Sequence, residues 1–257
     1  ETDPEKVDAV VEIAITPNRP DALGVRGIAR DLAARGLGDL KPMDIQPIPG
    51  KFKCPISVSI EHDTLINAPV FYGRLIRRVK NGPSPKWLQN KLRAIGLRPI
   101  STLVDITNFF TYDNNRPLHV FDADQFNGSS IRVHDAMGGE IFNALAEKEY
   151  VLSKGMTVIS DNAGVESLAG IMGGSGSGCT DKTENVFIEA AYFNPITTAY
   201  TGRELKINSD ARYRFERGID PEWAVFGIEA ATKMIIELCG GEPSEVVHAG
   251  EIPNHGR

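Results

Sequence analysis

The spacing of apolar and polar positions predicts a chain rich in strands, with helices at intervals. Alternating or continuous apolar runs predict strands at residues 10–15, 56–60, 70–79, 131–134, 151–152, 157–160 and 186–193. Helical periodicity is present at residues 21–36, 84–96 and 222–238. Ser84 and Pro85 predict an N-cap and first helical position, and Gly240 closes the last helix. Because helices and strands do not alternate strictly, the sequence predicts an α+β fold with mixed or antiparallel sheets and helices packed on them.

A proline-rich stretch predicts a division of the chain. Residues 41–50 contain three prolines, and we place a domain boundary near residue 48. Residues 1–47 are then expected to be a partial segment of a preceding domain with its linker, and residues 48–257 the main module. The chain begins at Glu1 without a methionine, so we expect it to be a fragment of a longer protein.

Composition excludes several classes of protein. The 257 residues are 41% hydrophobic, which is enough to bury one large core or two smaller ones. No apolar run approaches the roughly 18 residues of a membrane span, and the N-terminus lacks the basic region of a signal peptide. The three cysteines lie far apart, which argues against a zinc site or disulfide framework and indicates a cytoplasmic protein: Cys54, Cys179 and Cys239.

The charge of the chain argues against strong binding to nucleic acid by this chain alone. The formal net charge is −6 and the sequence pI is about 5.5, whereas phosphate neutralisation requires a basic surface. Two groups of basic residues are local exceptions: Arg74, Arg77, Arg78 and Lys80, and Arg203, Lys206, Arg212, Arg214 and Arg217. Acidic residues lie between members of the second group, which favours internal ion pairs, although a role in steering an RNA end stays open.

One carboxylate lies in an unusual position, inside the apolar strand at residues 186–193. Phe187, Glu189 and Ala191 share one face of that strand, and the opposite face is also apolar, so neither face is typical of a solvent-exposed surface. Burying an unpaired carboxylate costs several kcal/mol, so such a residue is often retained to bind a ligand. From the strand alone, an edge-strand charge remains the alternative.

Two other segments have alternative interpretations. The glycine-rich residues 168–178 lack the patterns of a P-loop or a dinucleotide-binding turn, and form either a flexible surface loop or a wall where backbone approaches a ligand. His119 lies between apolar residues, where a single histidine is usually structural and hydrogen-bonded. No Gly-x-Ser-x-Gly elbow or helix-opening cysteine is present, so the sequence gives no support for an acyl-enzyme nucleophile.

Five motifs together resemble the bacterial phenylalanyl-tRNA synthetase β subunits, in the region that edits mischarged tRNA. Residues 15–30 are similar to the segment that precedes this region in the family, so the resemblance covers essentially the whole chain. The motifs occur in the family's order: Val104-Asp-Ile-Thr-Asn108, Arg116-Pro-Leu-His-Val-Phe-Asp122, Gly170-Ile-Met-Gly-Gly174, Glu189-Ala-Ala-Tyr-Phe193 and Ser209-Asp-Ala-Arg-Tyr-Arg-Phe-Glu-Arg-Gly218.

The resemblance implies hydrolysis of the ester that joins L-tyrosine to the 3′ end of tRNA(Phe). An activated ester needs only an oriented water, and a carboxylate that requires the tyrosine hydroxyl could discriminate against phenylalanine on the order of 10⁴-fold. The motif positions assign Glu189 to the tyrosine hydroxyl. They assign the remaining roles as follows: His119 and Asn108 position substrate and water, Ser209 and Ala211 form the pocket rim, and Gly170 and Gly173 form its wall.

The family also implies partners and cofactors outside this chain. Aminoacylation with ATP and Mg²⁺ is expected on the α subunit of an α2β2 heterotetramer, and no cofactor or metal is expected in this fragment. The alternatives are a structural module that only docks the α subunit and, less in keeping with the sequence, a separate binder of free amino acids.

The chain departs from the family pattern in three places. Ser209 replaces a frequent threonine and keeps the hydroxyl. Residues 113–116 end in Arg116 and replace a usual Gly-Gln approach to His119, a change that could shift the position of that histidine. Residues 146–147 replace an expected Asp-Gly hairpin turn, a change that should affect only the surface.

Overall fold

The structure is a computed structural model that describes residues 10–145 and 148–253. These residues form six α-helices, preceded or separated by short 3₁₀ turns at Pro20–Ala22, His62–Thr64 and Ala123–Gln125. The helices are α1 (Val25–Ala34), α2 (Lys86–Ala94), α3 (Thr102–Asp113), α4 (Pro195–Glu204), α5 (Asp210–Phe215) and α6 (Trp223–Cys239).

The described part of the chain also contains twelve strands, ten of them between helices and two after α6. They are β1 (Ser57–Ile60), β2 (Val70–Arg77), β3 (His119–Asp122), β4 (Ser130–Asp135), β5 (Ile141–Ala144), β6 (Lys148–Val151), β7 (Thr157–Ser160), β8 (Val165–Leu168), β9 (Met172–Gly173), β10 (Asn185–Tyr192), β11 (Glu242–Pro243) and β12 (Val247–Gly250).

The strands form two main sheets and one hairpin. The first sheet has the order β1-β4-β7-β8-β9, in which β1 and β4 are parallel and the other pairs antiparallel. The second has the order β11-β2-β10-β3 and is antiparallel throughout, with β12 also paired to β2. Strands β5 and β6 form the separate hairpin. The prediction of an α+β fold with mixed and antiparallel sheets is therefore confirmed.

Strand β10 lies at the centre of this architecture because both of its faces are covered. Phe187 and Ala191 belong to a core that includes residues of the first sheet and Phe215 of α5. Val186 and Ile188 face a second core, built by α2, α3 and α6. The alternation predicted for residues 186–193 is thus observed, with a buried apolar layer on each side of the sheet.

A third, smaller core lies beneath the β5–β6 hairpin. Phe142 and Leu152 pack there against Leu168 and Ile171, which flank the turn between β8 and β9. This core holds the hairpin and that turn together.

The N-terminal segment differs from its prediction. Residues 10–15 pair with no strand in the described part of the chain, and Val11 is 79% exposed. The predicted strand is wrong because apolar alternation does not itself provide a pairing partner. The helix predicted from Asp21 begins at Val25, after a 3₁₀ turn.

The end of the proline-rich stretch is bonded to the rest of the main module. The Ile48 N–H donates to Glu229 Oε2 at 2.8 Å, and the fully buried Arg74 donates to the Ile48 carbonyl and to Glu229. We call Ile48, Arg74 and Glu229 the linker clasp. The division of the chain near residue 48 stays a prediction.

Several other local predictions need correction. The Ser84 hydroxyl donates to Asp105 instead of capping α2, whose N-cap is Pro85. Helices α3, α4 and α5 were not predicted. The C-terminal helix is confirmed and ends at Gly240, whose φ is +70°. The departure at residues 146–147 lies outside the described residues.

Candidate functional site

Glu189 lies in the middle of β10, with a paired strand on each side. Its Cα is the register partner of Gly73 on β2 and of His119 on β3. The side chain is 6% exposed, and Oε2 has no hydrogen-bond partner among the described residues. The alternative of an edge-strand charge is wrong, since neither edge of β10 is free at this position. A buried acceptor left unpaired costs about 1–3 kcal/mol, which is typical of a group kept for a ligand.

The protonation of Glu189 is set by burial. Burial raises the pKa of Glu189 to about 8, and the positive charge of Arg116 opposes part of this rise. The carboxyl group is therefore largely protonated at pH 7 and becomes a stronger hydrogen-bond acceptor when it ionises. Strongly perturbed acids of this kind are enriched at functional sites.

His119 begins strand β3 and is half-buried beside Glu189. Its ring packs edge-to-face on Phe121, with 4.4 Å between centroids. Burial lowers the pKa of His119 to about 4, so the imidazole is neutral at pH 7 and has one nitrogen free to accept a hydrogen bond. Among the described residues its ring nitrogens have no hydrogen-bond partner, which does not support the alternative of a hydrogen-bonded structural histidine.

The two predicted wall glycines lie in close packing. A Cβ built on Gly173 would be 2.4 Å from Cε1 and 2.6 Å from Nε2 of His119, so only glycine allows this approach. Gly170 has φ of +70°, and a Cβ there would be 2.9 Å from the Phe193 ring and 3.0 Å from the Phe215 ring. The segment is therefore packed against the site, and its role as a pocket wall stays a prediction.

Ser209 and Ala211 lie at the start of α5. Ser209 is the N-cap: its Oγ accepts the Arg212 N–H at 3.0 Å and donates to the Ile171 carbonyl at 2.7 Å. Ala211 is partly buried against the core that contains Phe193. The serine hydroxyl therefore connects α5 to the turn before β9. Its hydrogen is already donated to the Ile171 carbonyl and is not available to a ligand.

Asn108 is the predicted residue with the weakest structural connection to the others. It is half-buried on α3, and no described contact joins its side chain to Glu189 or His119. It shares a helix face with Tyr112, four residues later, whose hydroxyl donates to Asp210 of α5 at 2.5 Å. The helix face that carries Asn108 is thus turned toward α5, and its role stays a prediction.

Sequence reasoning assigned no role to Arg116, which the structure buries completely. Its Nη1 donates to the Asp220 carbonyl at 3.3 Å and its Nη2 donates to the Ala191 carbonyl. A buried arginine cannot be inferred from a single sequence, because arginine is ordinarily exposed. The available signal was that residues 113–116 replace the Gly-Gln approach to His119 that the resemblance leads one to expect.

Most basic residues of the two clusters form ion pairs, as the sequence favoured. Arg74 pairs with Glu229, while Arg77 and Arg78 both pair with Glu242. In the second cluster the pairs are Arg212–Glu216, Arg217–Glu216 and Arg214–Asp210. Within the two clusters only Lys80, Arg203 and Lys206 stand outside the described ion pairs, so the clusters offer little free positive charge to bind phosphate.

Other kinds of site receive no support within the described ranges. No group of three or more His, Cys, Asp or Glu side chains in residues 10–145 and 148–253 could hold a metal ion. No helix of those ranges has the length and apolar character needed to cross a membrane. A surface cavity of about 460 Å³, lined by Arg26, Arg30 and Trp223, contains none of the predicted site residues.

Comparisons with known proteins agree with the motif resemblance. The chain is 65% identical over 257 residues, its full length, to the phenylalanine–tRNA ligase β subunit of Ruegeria pomeroyi, and covers 32% of that protein. It is 61% identical over 251 residues to the β subunit of Cereibacter sphaeroides, covering 97% of the chain and 31% of that protein. The chain thus spans about a third of the length of the curated relatives it matches.

The chain also matches a solved structure and a protein-family model. An N-terminal fragment of the phenylalanyl-tRNA synthetase β subunit from Pyrococcus horikoshii matches with a TM-score of 0.42 and 16% identity, over 74% of this chain and 59% of that one. The model of the B3/4 domain matches residues 67–240. Since this is more than half of the chain, the chain belongs to the B3/4 domain family, and its resemblance to the bacterial phenylalanyl-tRNA synthetase β subunits is confirmed.

Proposed function

We propose that this chain is the editing region of a phenylalanyl-tRNA synthetase β subunit and hydrolyses the tyrosine ester of mischarged tRNA(Phe). The observation that carries the proposal is Glu189, a buried acid in register with the neutral His119; among the described residues, neither Glu189 Oε2 nor the His119 ring nitrogens have a hydrogen-bond partner. A tyrosine hydroxyl would supply the missing hydrogen bond.

Selectivity follows from what phenylalanine cannot supply. A phenyl ring in the same position would leave Glu189 desolvated and unpaired, and this costs about 1–3 kcal/mol, or roughly 5-fold to 150-fold in affinity. Discrimination near 10⁴ is reached where several buried polar groups depend on the same hydroxyl. Glu189 alone therefore accounts for part of the expected preference, and a second polar group must contribute if the larger value holds.

Hydrolysis requires orientation more than a protein nucleophile. An aminoacyl ester is already activated, and holding water close to its carbonyl can supply several kcal/mol. Neutral His119 can accept a hydrogen bond from such a water, because burial keeps its pKa near 4. The contact with Gly173 fixes the imidazole ring and so the direction of that hydrogen bond.

The remaining partners belong to the proposed complete enzyme. The β subunit would assemble with an α subunit as α2β2. Aminoacylation with ATP and Mg²⁺ would take place on the α subunit, and the 3′ end of tRNA(Phe) would move from that site to this chain. The chain carries a formal net charge of −6 and most of its two basic clusters are engaged in ion pairs, so tRNA affinity should come mainly from other parts of the assembly.

The test is deacylation by the full-length β subunit assembled with its α subunit. Wild-type enzyme should hydrolyse Tyr-tRNA(Phe) much faster than Phe-tRNA(Phe), and Glu189→Ala should remove this preference. Glu184→Ala is the matched control, since Glu184 is exposed immediately before the same strand. An unchanged preference in Glu189→Ala, with aminoacylation intact, would contradict the proposal.

A structural module that docks the α subunit is the second candidate. It is favoured by one observation: the cavity of about 460 Å³ lies apart from Glu189 and His119. If that candidate holds, neither ester is hydrolysed by this region, and Glu189→Ala has no effect on either while assembly is unchanged.

A further inference from the structure

Arg116 is buried without an ion pair. No carboxylate lies within ion-pair distance of its guanidinium in the described part of the chain, and its Nε has no hydrogen-bond partner there. Its two bonded nitrogens both donate to backbone carbonyls, those of Ala191 and Asp220. Burying a charge in this way is costly, so its position requires a physical explanation.

The space around the arginine is shaped to accept it. A Cβ built on Gly227 of α6 would be 2.9 Å from Cγ of Arg116, so that helix offers a glycine where the side chain passes. The guanidinium lies 6.0 Å from the centroid of the Phe215 ring. The Arg116 side chain therefore contacts β10, α5 and α6, and its charge forms no ion pair with the described residues. Burial lowers the pKa of Arg116 to about 10, and the Glu189 and Asp220 charges oppose this, so the guanidinium stays charged at neutral pH.

Arg116 is bonded to β10 close to Glu189. Ala191, whose carbonyl Arg116 holds, is two residues from Glu189 on the same face of β10. On the flanking strands, Gly73 carries no charge and His119 is neutral.

The charged groups on α5 are already engaged. Arg212 pairs with Glu216, and Asp210 contacts both Arg214 and Tyr112. Among the described residues, Arg116 is the buried cation that is bonded to β10 two residues from Glu189, and its positive charge opposes the rise in the pKa of that carboxyl.

We propose that Arg116 is a positioning residue for tyrosine selectivity: it fixes β10 at Ala191 and supplies the positive charge that lets the Glu189 carboxylate accept the substrate hydroxyl. This inference rests on the proposed editing function and names a second group that the selectivity depends on. Arg116 acts through Glu189 and need not touch the substrate.

The charge-dependent part is tested by the pH profile of selectivity. In the assembled enzyme, the preference for Tyr-tRNA(Phe) over Phe-tRNA(Phe) should rise with pH and level off above about pH 8, as Glu189 ionises. Arg116→Gln should move this rise to higher pH and lower the preference at pH 7 by up to about tenfold, since each pKa unit changes the ionised fraction about tenfold. Arg116→Lys keeps the charge and should retain most of the preference.

A double-mutant cycle separates this role from a structural one. Glu189→Gln should remove the pH dependence, and the double variant Glu189→Gln/Arg116→Gln should have the selectivity of Glu189→Gln alone. Equal loss of both hydrolysis rates in Arg116→Gln with an unchanged pH profile, or additive effects in the double variant, would overturn the inference.

A readout that needs no activity distinguishes failure of the inference from failure of the proposed function. The ¹³C-labelled carboxyl carbon of Glu189 can be followed by NMR in the wild-type chain and in the two Arg116 variants. Compared with wild type, it should titrate at higher pH in Arg116→Gln and at nearly the same pH in Arg116→Lys. If wild-type enzyme does not hydrolyse Tyr-tRNA(Phe) but the titration moves as expected, the proposed function fails and the Arg116–Glu189 coupling stands. If the titration does not move, the coupling is wrong whatever the activity.

Discussion

Replacing Glu189 by glutamine should change how the stability of the chain depends on pH. Glutamine has nearly the same shape and cannot ionise, so the substitution removes one titration with little change in packing. Burial raises the pKa of Glu189 from its ordinary 4.5 to about 8. Between these values the folded chain binds a proton that the unfolded chain releases, so the stability from this group is complete below about pH 4.5 and is lost as pH rises toward 8.

The size of the effect follows from those two values. Their difference corresponds to at most about 5 kcal/mol of unfolding free energy. His119 has the opposite sign: its pKa is lowered to about 4, so stability is lost as pH falls from 6.5 toward 4. Because His119 is present in both proteins, its contribution largely cancels when wild type and Glu189→Gln are compared.

Urea unfolding followed by circular dichroism at several pH values measures the difference. From about pH 5 to about pH 9, Glu189→Gln should gain a few kcal/mol of stability relative to wild type. The control Glu184→Gln, at an exposed position before the same strand, should follow wild type at every pH. Parallel curves for wild type and Glu189→Gln would show that Glu189 is hydrated or paired, which would refute the argument for a buried acid.

Three further substitutions test the site and its support. Gly173→Ala places a methyl group 2.4 Å from His119 Cε1 and should lower editing about 10²-fold, whereas Gly176→Ala, whose nearest neighbour is 3.6 Å away, should have little effect in the same deacylation assay. Ser209→Ala removes the N-cap of α5 and should cost about 1 kcal/mol in denaturant unfolding, while Ser209→Thr keeps the hydroxyl and should be near neutral. Glu229→Ala leaves the arginine of the linker clasp without its carboxylate and should cost about 3 kcal/mol by the same measurement; a loss below about 1 kcal/mol would mean that the clasp is not a stabilising contact.

The sequence predicted the elements that have a strong apolar pattern, such as β10 and α6. Residues 186–193 are apolar on both faces, a pattern typical of a strand covered on both sides, and β10 is such a strand. The amphipathic pattern at residues 222–238 likewise identified α6. For both elements, burial of one or two faces determines the local structure.

Other elements depend on contacts that no local pattern contains. Helix α3 is rich in β-branched and aromatic residues, which weaken a helical signal, and it is stabilised by packing in the second core. Ser84 has the chemistry of an N-cap, but its hydroxyl is bound by Asp105, 21 residues away. These outcomes are set by tertiary structure and could not be read from local sequence.

In the candidate site, too, some features follow from local sequence and others depend on tertiary contacts. Glu189 was singled out by its strand, because a carboxylate between two apolar faces conflicts with the usual cost of burial. The strand alone left an edge-strand charge open, and the role of Glu189 came from the family resemblance. The contact of His119 with Gly173 depends on β3 and β9 meeting in space, and only the family resemblance indicated that they do. Arg116 was missed because its burial depends on Gly227, more than a hundred residues later.

Selectivity and stability have a common physical cause at this site. In the function we propose, Glu189 discriminates by a hydroxyl group only while water is excluded from it, and the same exclusion raises its pKa and destabilises the folded chain above about pH 8. A substitution that admits water beside Glu189 should therefore stabilise the chain at alkaline pH and weaken discrimination at the same time. Arg116 lessens this conflict, because a buried positive charge offsets part of the cost of ionising Glu189 without hydrating it. If Arg116 has the role we propose, an arginine without an ion pair is retained in the interior because the carboxylate that it serves must stay free for the ligand.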